Sequence, residues 1–351
     1  MNIRKKYKWE PIPRVNLSKQ VSSSLFSQVE THDVFLQAWS LPGWTQNYTQ
    51  LGKGGFYGTL SNLTLGPLQV FQEGIHNSVD QHGQPKPNSI VIGVPSSING
   101  EGFWCGDKLE VDTVFFLSPN TELKFRTPLR SEIYAIALDI DFLRQYSECI
   151  EKTDIDRLTH LNGVVRPNSI STCRSLKNTL HQVFNGLKQN PASLNVDEIR
   201  QTLLNDIMDS LALCLGGVKE PPHHRTGQTV HRNIVENATN YILSNRHQPP
   251  TVMDISQELR ISRRTLHYSF QKVLGVSPAA YLRYIRLHGA RHELLSNCQE
   301  KCLISDVAAH WGFWHLGMFS HYYKALFGET PSVTLRRASD NPGSLFKITN
   351  H

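Results

Sequence analysis

The 351-residue chain lacks several features that would each point to a particular class of protein. It contains no run of about 18 apolar residues, the length that a membrane-spanning helix needs. No apolar stretch follows its basic beginning, "MNIRKKYKWEPIPR", so we expect no secretory signal, no membrane association and a cytoplasmic location. Its six cysteines are scattered and form no CxxC pair, which favours reduced thiols over a disulfide framework.

The sequence also lacks the common motifs of catalysis and metal binding. No GxSxG, no P-loop and no GxGxxG between a strand and a helix occurs in it. His76 and His82 could ligate a metal, but the HxH pair and glutamate of metal-binding barrels are missing, so we interpret them as surface or loop histidines. Cys298 and Cys302 lack partners at zinc spacing. We therefore expect no metal site and no enzymatic activity.

Positive charge is concentrated in two parts of the chain, whose formal net charge is +6. Residues 230–337 carry 13 Lys and Arg against 7 Asp and Glu, and the first twenty residues carry six against one. A compact basic segment suits a polyanionic partner, because cationic side chains displace condensed counterions from phosphates. Many proteins that bind no nucleic acid are equally basic, so charge alone does not decide.

Hydrophobic periodicity separates a strand-rich part from a helical part. From about 30 to 139, short runs rich in β-branched and aromatic residues are bounded by Pro, Gly, Asn or Asp, and Gly66-Pro67 splits one of them like a hairpin turn. This pattern predicts a small barrel or jelly roll. From about 140 to 216, apolar residues recur at spacings of three and four, which predicts helices.

These patterns predict an α+β protein with two domains. Residues 1–217 would form a β-rich, barrel-like or jelly-roll-like domain with helices from 140 to 217, for sensing or oligomerisation. The proline-containing segment 218–229 would be a linker, and 230–337 would be all-α. The stripe Ile199, Leu203, Leu211 and Cys214 could pair two copies into a homodimer, or pack back onto its own domain.

The segment "TVMDISQELRISRRTLHYSFQKVLG" predicts two helices with a tight break, at about 252–273. Apolar residues line one face of each helix, and Ile261 between them can fill the corner. Ser262 can cap the second helix by accepting a backbone N–H bond. A first helix that braces a second, outward-facing one is a helix-turn-helix arrangement.

The arrangement recurs about fifty residues later, at about 304–327, in "ISDVAAHWGFWHLGMFSHYYKALFG". Gly312 stands at the turn, where a positive φ costs glycine little. Helical spacing places Trp311, Phe313, Phe319 and Tyr323 in the core under this second pair. We expect Trp314 to begin the second helix, partly exposed.

Between the pairs, "SPAAYLRYIRLHGARHELLS" predicts one long helix that begins at Pro278, a residue suited to a first helical turn. Nineteen residues span about 28 Å at roughly 1.5 Å per residue. Such a spacer could hold two recognition helices about 34 Å apart, so that both enter successive major grooves of duplex DNA.

With "SRRTLHYSF", "GVSPAAYLRYIRLHGAR" and "WGFWHLGMFSHYYKALFGETPS" in this order, residues 230–337 resemble the AraC/XylS family of bacterial transcription regulators. The resemblance implies a promoter-binding protein, usually an activator that works with RNA polymerase. It also implies which side chains meet double-stranded DNA. In the first recognition helix, Arg263 would lie near the DNA backbone, and Arg264, His267 and Tyr268 would meet the bases. Those in the second are Leu316, Gly317, Ser320 and His321 at the bases, and Lys324 at a phosphate.

Two positions depart from the family pattern. Arg260 replaces the usual glycine of the first turn, so either an arginine adopts a left-handed conformation at some cost or the turn differs. The second recognition helix offers Leu316 and Gly317 where longer polar side chains are usual. We therefore expect weaker direct readout there, through thymine methyl groups or DNA shape, and specificity that comes mainly from the first helix.

The first domain resembles ethanolamine-responsive members of the same family, in "GGFYGTLSNLTLGPLQVFQE", "IGVP" and "RTPLRSEIYAIALDI". This resemblance implies a sensor of ethanolamine with adenosylcobalamin as co-effector. Phe71, Glu73 and Trp104 are candidate effector-binding residues, because an acidic group among aromatic rings suits an ammonium ligand. A regulator of another pathway, or one whose first domain only mediates assembly, are the alternatives.

Overall fold

The computed structural model describes residues 24–148, 155–167, 169–216, 226–245, 250–296, 303–340 and 346–350. They form two compact units. The sheet unit comprises 24–46, 57–216 and 346–350, and the helical unit comprises 47–56 and 226–340. No helix in these ranges is long and apolar enough to cross a membrane. The basic first twenty residues, the predicted linker up to 225, Cys298 and Cys302 lie outside the described residues.

Thirteen strands are described. In chain order they are β1 Phe26–Thr31, β2 Thr45–Gln50, β3 Tyr57–Leu65, β4 Leu68–His76, β5 Val79–Gln84, β6 Ser89–Asn99, β7 Gly102–Trp104, β8 Asp107–Leu109, β9 Val114–Leu117, β10 Leu123–Arg126, β11 Arg130–Asp139, β12 Gly163–Val165 and β13 Phe346–Asn350. An eight-stranded sheet has the order β12-β9-β6-β11-β4-β3-β1-β13, and a five-stranded sheet has the order β2-β5-β10-β7-β8. The predicted hairpin at Gly66-Pro67 is confirmed, because β3 and β4 pair antiparallel up to Leu65 and Leu68.

The mixed α+β architecture is confirmed, with twelve of the described strands in the first part of the chain, a helical domain after them, and β13 following that domain. A closed barrel is not confirmed, because the described strands form two open sheets.

Strand β11 shows how the layers pack. Its even-numbered residues from Tyr134 to Leu138 lie in a core shared with helices, and its odd-numbered residues from Ile133 to Ala137 lie in a core shared with the smaller sheet. Side chains that alternate between two buried faces explain its continuous apolar sequence.

Helix α1 Val34–Trp39 contacts β1 and β3. Four later helices cover the outer face of the large sheet. They are α2 Ile140–Glu148, α3 Ile155–His160, α4 Ile170–Gln189 and α5 Asp197–Leu215. In α5, Leu211 and Cys214 are buried in the core of the sheet unit and Leu203 packs against it, whereas Ile199 is exposed. Most of the predicted pairing stripe therefore packs on its own unit, and the homodimer stays a prediction.

The helical unit contains seven described helices. They are α6 Thr226–Ser244, α7 Val252–Glu258, α8 Arg263–Leu274, α9 Pro278–Ser296, α10 Ile304–His310, α11 Leu316–Phe327 and α12 Pro331–Asp340. The segment 47–56 belongs to this unit although it lies far away in sequence. The backbone N–H of Gln50 donates to His288 Nε2 at 2.9 Å, and Gln50 Nε2 donates to the Leu326 carbonyl oxygen at 2.6 Å. Gln50 therefore connects the middle of α9 to the end of α11.

Candidate DNA-binding surface

The first helix pair is held by hydrogen bonds at both helix starts. Thr251 and Asp254 form a capping box at the start of α7. The Asp254 carboxylate accepts hydrogen bonds from the backbone N–H and the hydroxyl of Thr251, and these bonds lower the pKa of the Asp254 carboxyl. Ser262 caps α8, since its Oγ accepts from the Thr265 backbone N–H at 3.0 Å. The predicted cap is thus confirmed, and it orients α8 with Leu266 and Phe270 fully buried.

The turn of the first pair adopts the left-handed conformation, because Arg260 has a φ of +52°. Of the two possibilities that the sequence left open, an ordinary residue therefore takes the strained conformation, which costs a non-glycine residue roughly 1–2 kcal/mol. The backbone N–H groups of Arg260 and Ile261 donate to the carbonyl oxygens of Gln257 and Ser256 at 3.1 and 3.0 Å. These bonds satisfy the last carbonyls of α7.

The turn of the second helix pair contains the same two backbone hydrogen bonds. Gly312, with a φ of +75°, and Phe313 donate to the carbonyl oxygens of Ala309 and Ala308 at 2.9 and 2.8 Å. The caps of the recognition helices also correspond. Ser262 and His315 precede α8 and α11, and the left-handed residues Gly275 and Gly328 end them. Equivalent positions in the two helices therefore lie 53 residues apart.

The long helix between the pairs is confirmed as Pro278–Ser296, nineteen residues. Its buried Arg291 ties the second pair to α12. Arg291 Nη1 donates to Glu329 Oε1 at 2.8 Å and to the Tyr323 hydroxyl at 3.3 Å, and its guanidinium lies 4.8 Å from the centre of the Phe327 ring. These contacts fix the end of α11 against α9.

The aromatic segment that precedes and includes α11 is mainly core. Trp311, Phe319 and Tyr323 are buried, and Phe313 is half-buried with its ring centre 5.1 Å from that of Phe319. Trp314 is 82% exposed. It precedes the helix, because α11 begins at Leu316, so the expectation that it starts the helix was wrong.

The four predicted residues of α8 lie on its outward face. Arg263, Arg264, His267 and Tyr268 are all exposed. The Tyr268 ring contacts the His231 ring at 5.0 Å between centres, and Lys272 lies 5.7 Å from its centre. Among the described residues Arg264 has no hydrogen-bond or ion-pair partner, so its guanidinium donors point to solvent and can meet a base edge.

The five predicted residues of α11 share the corresponding face. Leu316, Gly317, His321 and Lys324 are exposed, and Ser320 is half-exposed. No cap bond is made by the His315 side chain, so the first N–H groups of α11 have no side-chain acceptor there and suit a phosphate.

Sequence reasoning passed over one exposed apolar side chain on the same helix. Met318 is 48% exposed, close to the 47% of Leu316. Together with Trp314 these residues make the start of α11 apolar, whereas the start of α8 carries two arginines. The signal was present in the sequence, since Met318 falls outside the buried stripe of Phe319, Tyr323 and Leu326.

The three candidate effector residues are buried in the sheet unit. Phe71 and Trp104 belong to the core between the two sheets. Glu73 lies two residues beyond Phe71 on the same face of β4, and its carboxylate accepts from Gln37 Nε2 at 3.0 Å and from Gln81 Nε2 at 3.4 Å. The structure therefore places a carboxylate held by amides beside an aromatic core.

The Trp104 side chain packs against two aromatic rings and donates one hydrogen bond. Its ring centre lies 4.2 Å from that of Phe115 and 5.3 Å from that of Phe125, and its Nε1 donates to the Phe116 carbonyl oxygen at 2.8 Å. Its ring is a core element. The structure thus brings Phe71 and Glu73 together, with Trp104 in the same core.

The two histidines weighed as metal ligands lie on separate strands. His82 contacts Asp80 Oδ2 through Nε2 at 3.1 Å, and the His76 ring contacts the Tyr57 ring at 5.2 Å between centres. Across the described ranges, no three His, Cys, Asp or Glu side chains are grouped so that they could hold a metal ion.

Comparison with known proteins matches the helical unit. A family profile described as "Helix-turn-helix domain" matches residues 255–337. The chain is 37% identical over 103 residues to the "Probable thc operon regulatory protein" of Rhodococcus erythropolis. The aligned residues are 29% of this chain and 31% of that protein. It is 31% identical over 102 residues to the "XylDLEGF operon transcriptional activator 3" of Pseudomonas putida, again 29% of this chain and 31% of that protein.

A solved structure is similar over the same share of the chain. The crystal structure of a probable AraC family transcriptional regulator from Rhodopseudomonas palustris is 36% identical in sequence, covers 30% of this chain and 97% of that chain, and has a TM-score of 0.29. The chain spans about a third of the length of the two operon regulators. By their printed names, the two operon proteins are a regulatory protein and a transcriptional activator.

Proposed function

We propose that this chain, whose residues 255–337 match a helix-turn-helix family profile, is a sequence-specific DNA-binding regulator of transcription of the AraC family and acts as an activator. One observation carries the proposal. Two helices, Arg263–Leu274 and Leu316–Phe327, follow turns with the same hydrogen bonds and present their predicted contact residues to solvent. Two equivalent recognition helices joined by one long helix suit successive major grooves of duplex DNA.

The two helices have different chemistry, which supports a division of labour. The first exposes the charged side chains of Arg263 and Arg264, and the second exposes Leu316 and Gly317 at the equivalent positions. Arginine reads guanine through two parallel hydrogen bonds, whereas an apolar side chain meets only thymine methyl groups in the major groove. The first helix would therefore supply most of the specificity.

We expect Arg264→Ala and Lys324→Ala to weaken binding in different ways. Removal of Arg264 should cost about 1–3 kcal/mol on the specific site and relax the preference at one base position. Removal of Lys324 should weaken binding to specific and random duplexes alike, and reduce the salt slope by about one unit. Titrations of full-length protein against both duplexes at several salt concentrations measure these effects.

Arg144→Ala is the matched control, because it removes the same charge from an exposed position of the sheet unit. It should change neither affinity nor salt slope. Equal losses on specific and random DNA for Arg264→Ala would contradict its assignment as a base-reading residue.

The finer proposal concerns the effector. We propose that the sheet unit responds to a small metabolite, and ethanolamine is the first candidate. Support comes from Glu73, whose buried carboxylate lies two residues from Phe71, and from Trp44, whose ring packs edge-on against Phe71 at 5.4 Å. A carboxylate beside aromatic rings suits an ammonium group.

Adenosylcobalamin, the co-effector that the resemblance implies, does not fit this place. Phe71, Glu73 and Trp104 are all buried and in contact with core neighbours, and a corrinoid could not be enclosed among them. We therefore assign no residue to it. An activator would also contact RNA polymerase, and a homodimer is compatible with the exposed side of α5.

A DNA-binding titration tests the regulator and the effector together. Full-length protein is titrated onto the DNA upstream of its own gene and onto a random duplex, with and without ethanolamine plus adenosylcobalamin. We expect preference for the upstream DNA, strengthened by the two ligands. Specific binding that ignores them would discard this effector and keep the regulator, and the absence of any preference would discard the regulator.

A further inference from the structure

A polar groove of about 320 Å³ opens on the helix-facing side of the large sheet. Its floor is built from two neighbouring rungs of paired strands β6, β11 and β4. The first rung is Asn99, Arg130 and His76, and the second is Ser97, Glu132 and Gly74. These residues share the face of Tyr134, whose ring lies in the core with the helices. The groove is therefore separate from the core that contains Phe71 and Trp104.

Gly74 makes the depression in this floor. A β-carbon added at Gly74 would lie 2.5 Å from Thr59 Oγ1 on the neighbouring strand. Any larger residue at this position would collide with the Thr59 hydroxyl, which lines the groove. A glycine inside a strand is a weak strand former and often marks a place where a ligand approaches the backbone closely.

Two opposite charges flank this depression without pairing. Arg130 and Glu132 lie two residues apart on β11, about 7 Å at roughly 3.4 Å per residue. Within the described ranges, Arg130 forms no ion pair or side-chain hydrogen bond. Glu132 accepts instead from Gln72 Nε2, and Gln72 Oε1 accepts from Lys188 Nζ at 2.9 Å. These bonds hold the Glu132 carboxylate from one side.

The hydrogen-bond donors of Arg130 and the free acceptor positions of Glu132 indicate which kind of ligand the groove would bind. The guanidinium of Arg130 offers parallel donors whose geometry matches a carboxylate. The Glu132 carboxylate keeps acceptor positions for an ammonium group, since a carboxylate has about four such positions. The hydroxyl of Thr59 and the amide of Asn99 also line the groove and can complete the hydrogen bonds of a small polar molecule.

We propose that this groove binds a small zwitterion of the amino-acid type, with its carboxylate on Arg130 and its ammonium group on Glu132. The volume corresponds to about ten water molecules at roughly 30 Å³ each, which suits a ligand of this size. The inference goes beyond the proposed function, because it assigns a second ligand site to the sheet unit and does not depend on DNA binding.

Isothermal titration calorimetry of the full-length protein tests the assignment. The probes are glycine, β-alanine and γ-aminobutyrate, which differ in the number of methylenes between their charges. Acetate and N-acetylglycine carry the carboxylate without the ammonium group and serve as comparators. We expect saturable binding of at least one zwitterion, and binding of both comparators at least about tenfold weaker, the equivalent of 1.4 kcal/mol.

Variants connect the binding to these residues. Arg130→Gln and Glu132→Gln should each weaken zwitterion binding at least about tenfold, and Arg144→Gln, which removes an exposed positive charge outside the groove, should leave it unchanged. Thermal denaturation without ligand verifies that the variants are folded. The proposal is overturned if no zwitterion binds at millimolar concentration, if a comparator binds as tightly, or if the groove variants bind like the control.

Discussion

Replacement of Arg291 by methionine should destabilise the helical unit by about 3–5 kcal/mol, the usual cost of removing one partner from a buried ion pair. Arg291 is 3% exposed. Its loss would remove the charged donor that Glu329 and the hydroxyl groups of Tyr323 and Thr334 share, and leave them the bonds that they make to one another. Burial raises the pKa of Tyr323 to about 12, so the phenol stays neutral and adds no second negative charge beside Glu329.

Hydrogen exchange of the α9 amides in the full-length protein measures this effect, because it reports the free energy of opening of that helix. The loss in free energy of opening should approach the lower end of the range of about 3–5 kcal/mol, since Arg337 Nη1 still pairs with Glu329 Oε2 at 2.9 Å. Arg283→Met is the control. Arg283 stacks on Tyr322 at 4.4 Å, and removing it should cost about 1 kcal/mol or less. Equal effects of the two changes would contradict the buried network.

The same substitution at two helical glycines should have opposite signs. Gly289→Ala in α9 should destabilise the helical unit by about 1–3 kcal/mol, the cost of an overpacked core. An added β-carbon would lie 2.2 Å from the Trp311 ring. That ring cannot easily move, because its Nε1 donates to Glu293 Oε2 at 2.8 Å.

Gly317→Ala in α11 should instead stabilise the unit, by at most about 1 kcal/mol, because alanine has the higher helix propensity and the full difference applies to helix interiors, whereas Gly317 is the second residue of α11. Apart from the neighbouring residues and the backbone of α11 itself, no atom of the described residues lies within 4 Å of a β-carbon added at this position. Urea denaturation without DNA, followed by circular dichroism at the helical band, compares both variants with the parent chain. Changes of the same sign would show that packing at Trp311 is not what requires glycine at 289.

Local patterns in the sequence predicted the helical unit well. The caps at Ser262 and the long helix from Pro278 follow from hydrogen bonds and spacings between neighbouring residues, and both are present. The outward position of Arg264 follows from the same periodicity. The family profile then matches residues 255–337 of this unit. Which bases these side chains contact remains a prediction from the resemblance.

The sheet unit was predicted less completely, because long-range pairing sets its shape. The strands were found from composition, but an eight-stranded order that ends with β13 depends on contacts between residues more than 300 positions apart. Of the barrel-like and jelly-roll-like architectures that were expected, a closed barrel is therefore not confirmed, because the described strands form two open sheets. Glu73 was singled out for its chemistry, whereas its amide partners Gln37 and Gln81 come from other elements.

The sequence by itself determined where α8 and α9 begin and which faces of the two recognition helices are apolar. Those properties depend on residues within a few positions of one another. Only the tertiary structure decided that Arg260 takes a left-handed conformation, that Gln50 packs on α9 and α11, and that Arg130 and Glu132 flank an open groove. These features arise where distant segments meet, and the free energy that holds them comes from contacts that no local pattern records.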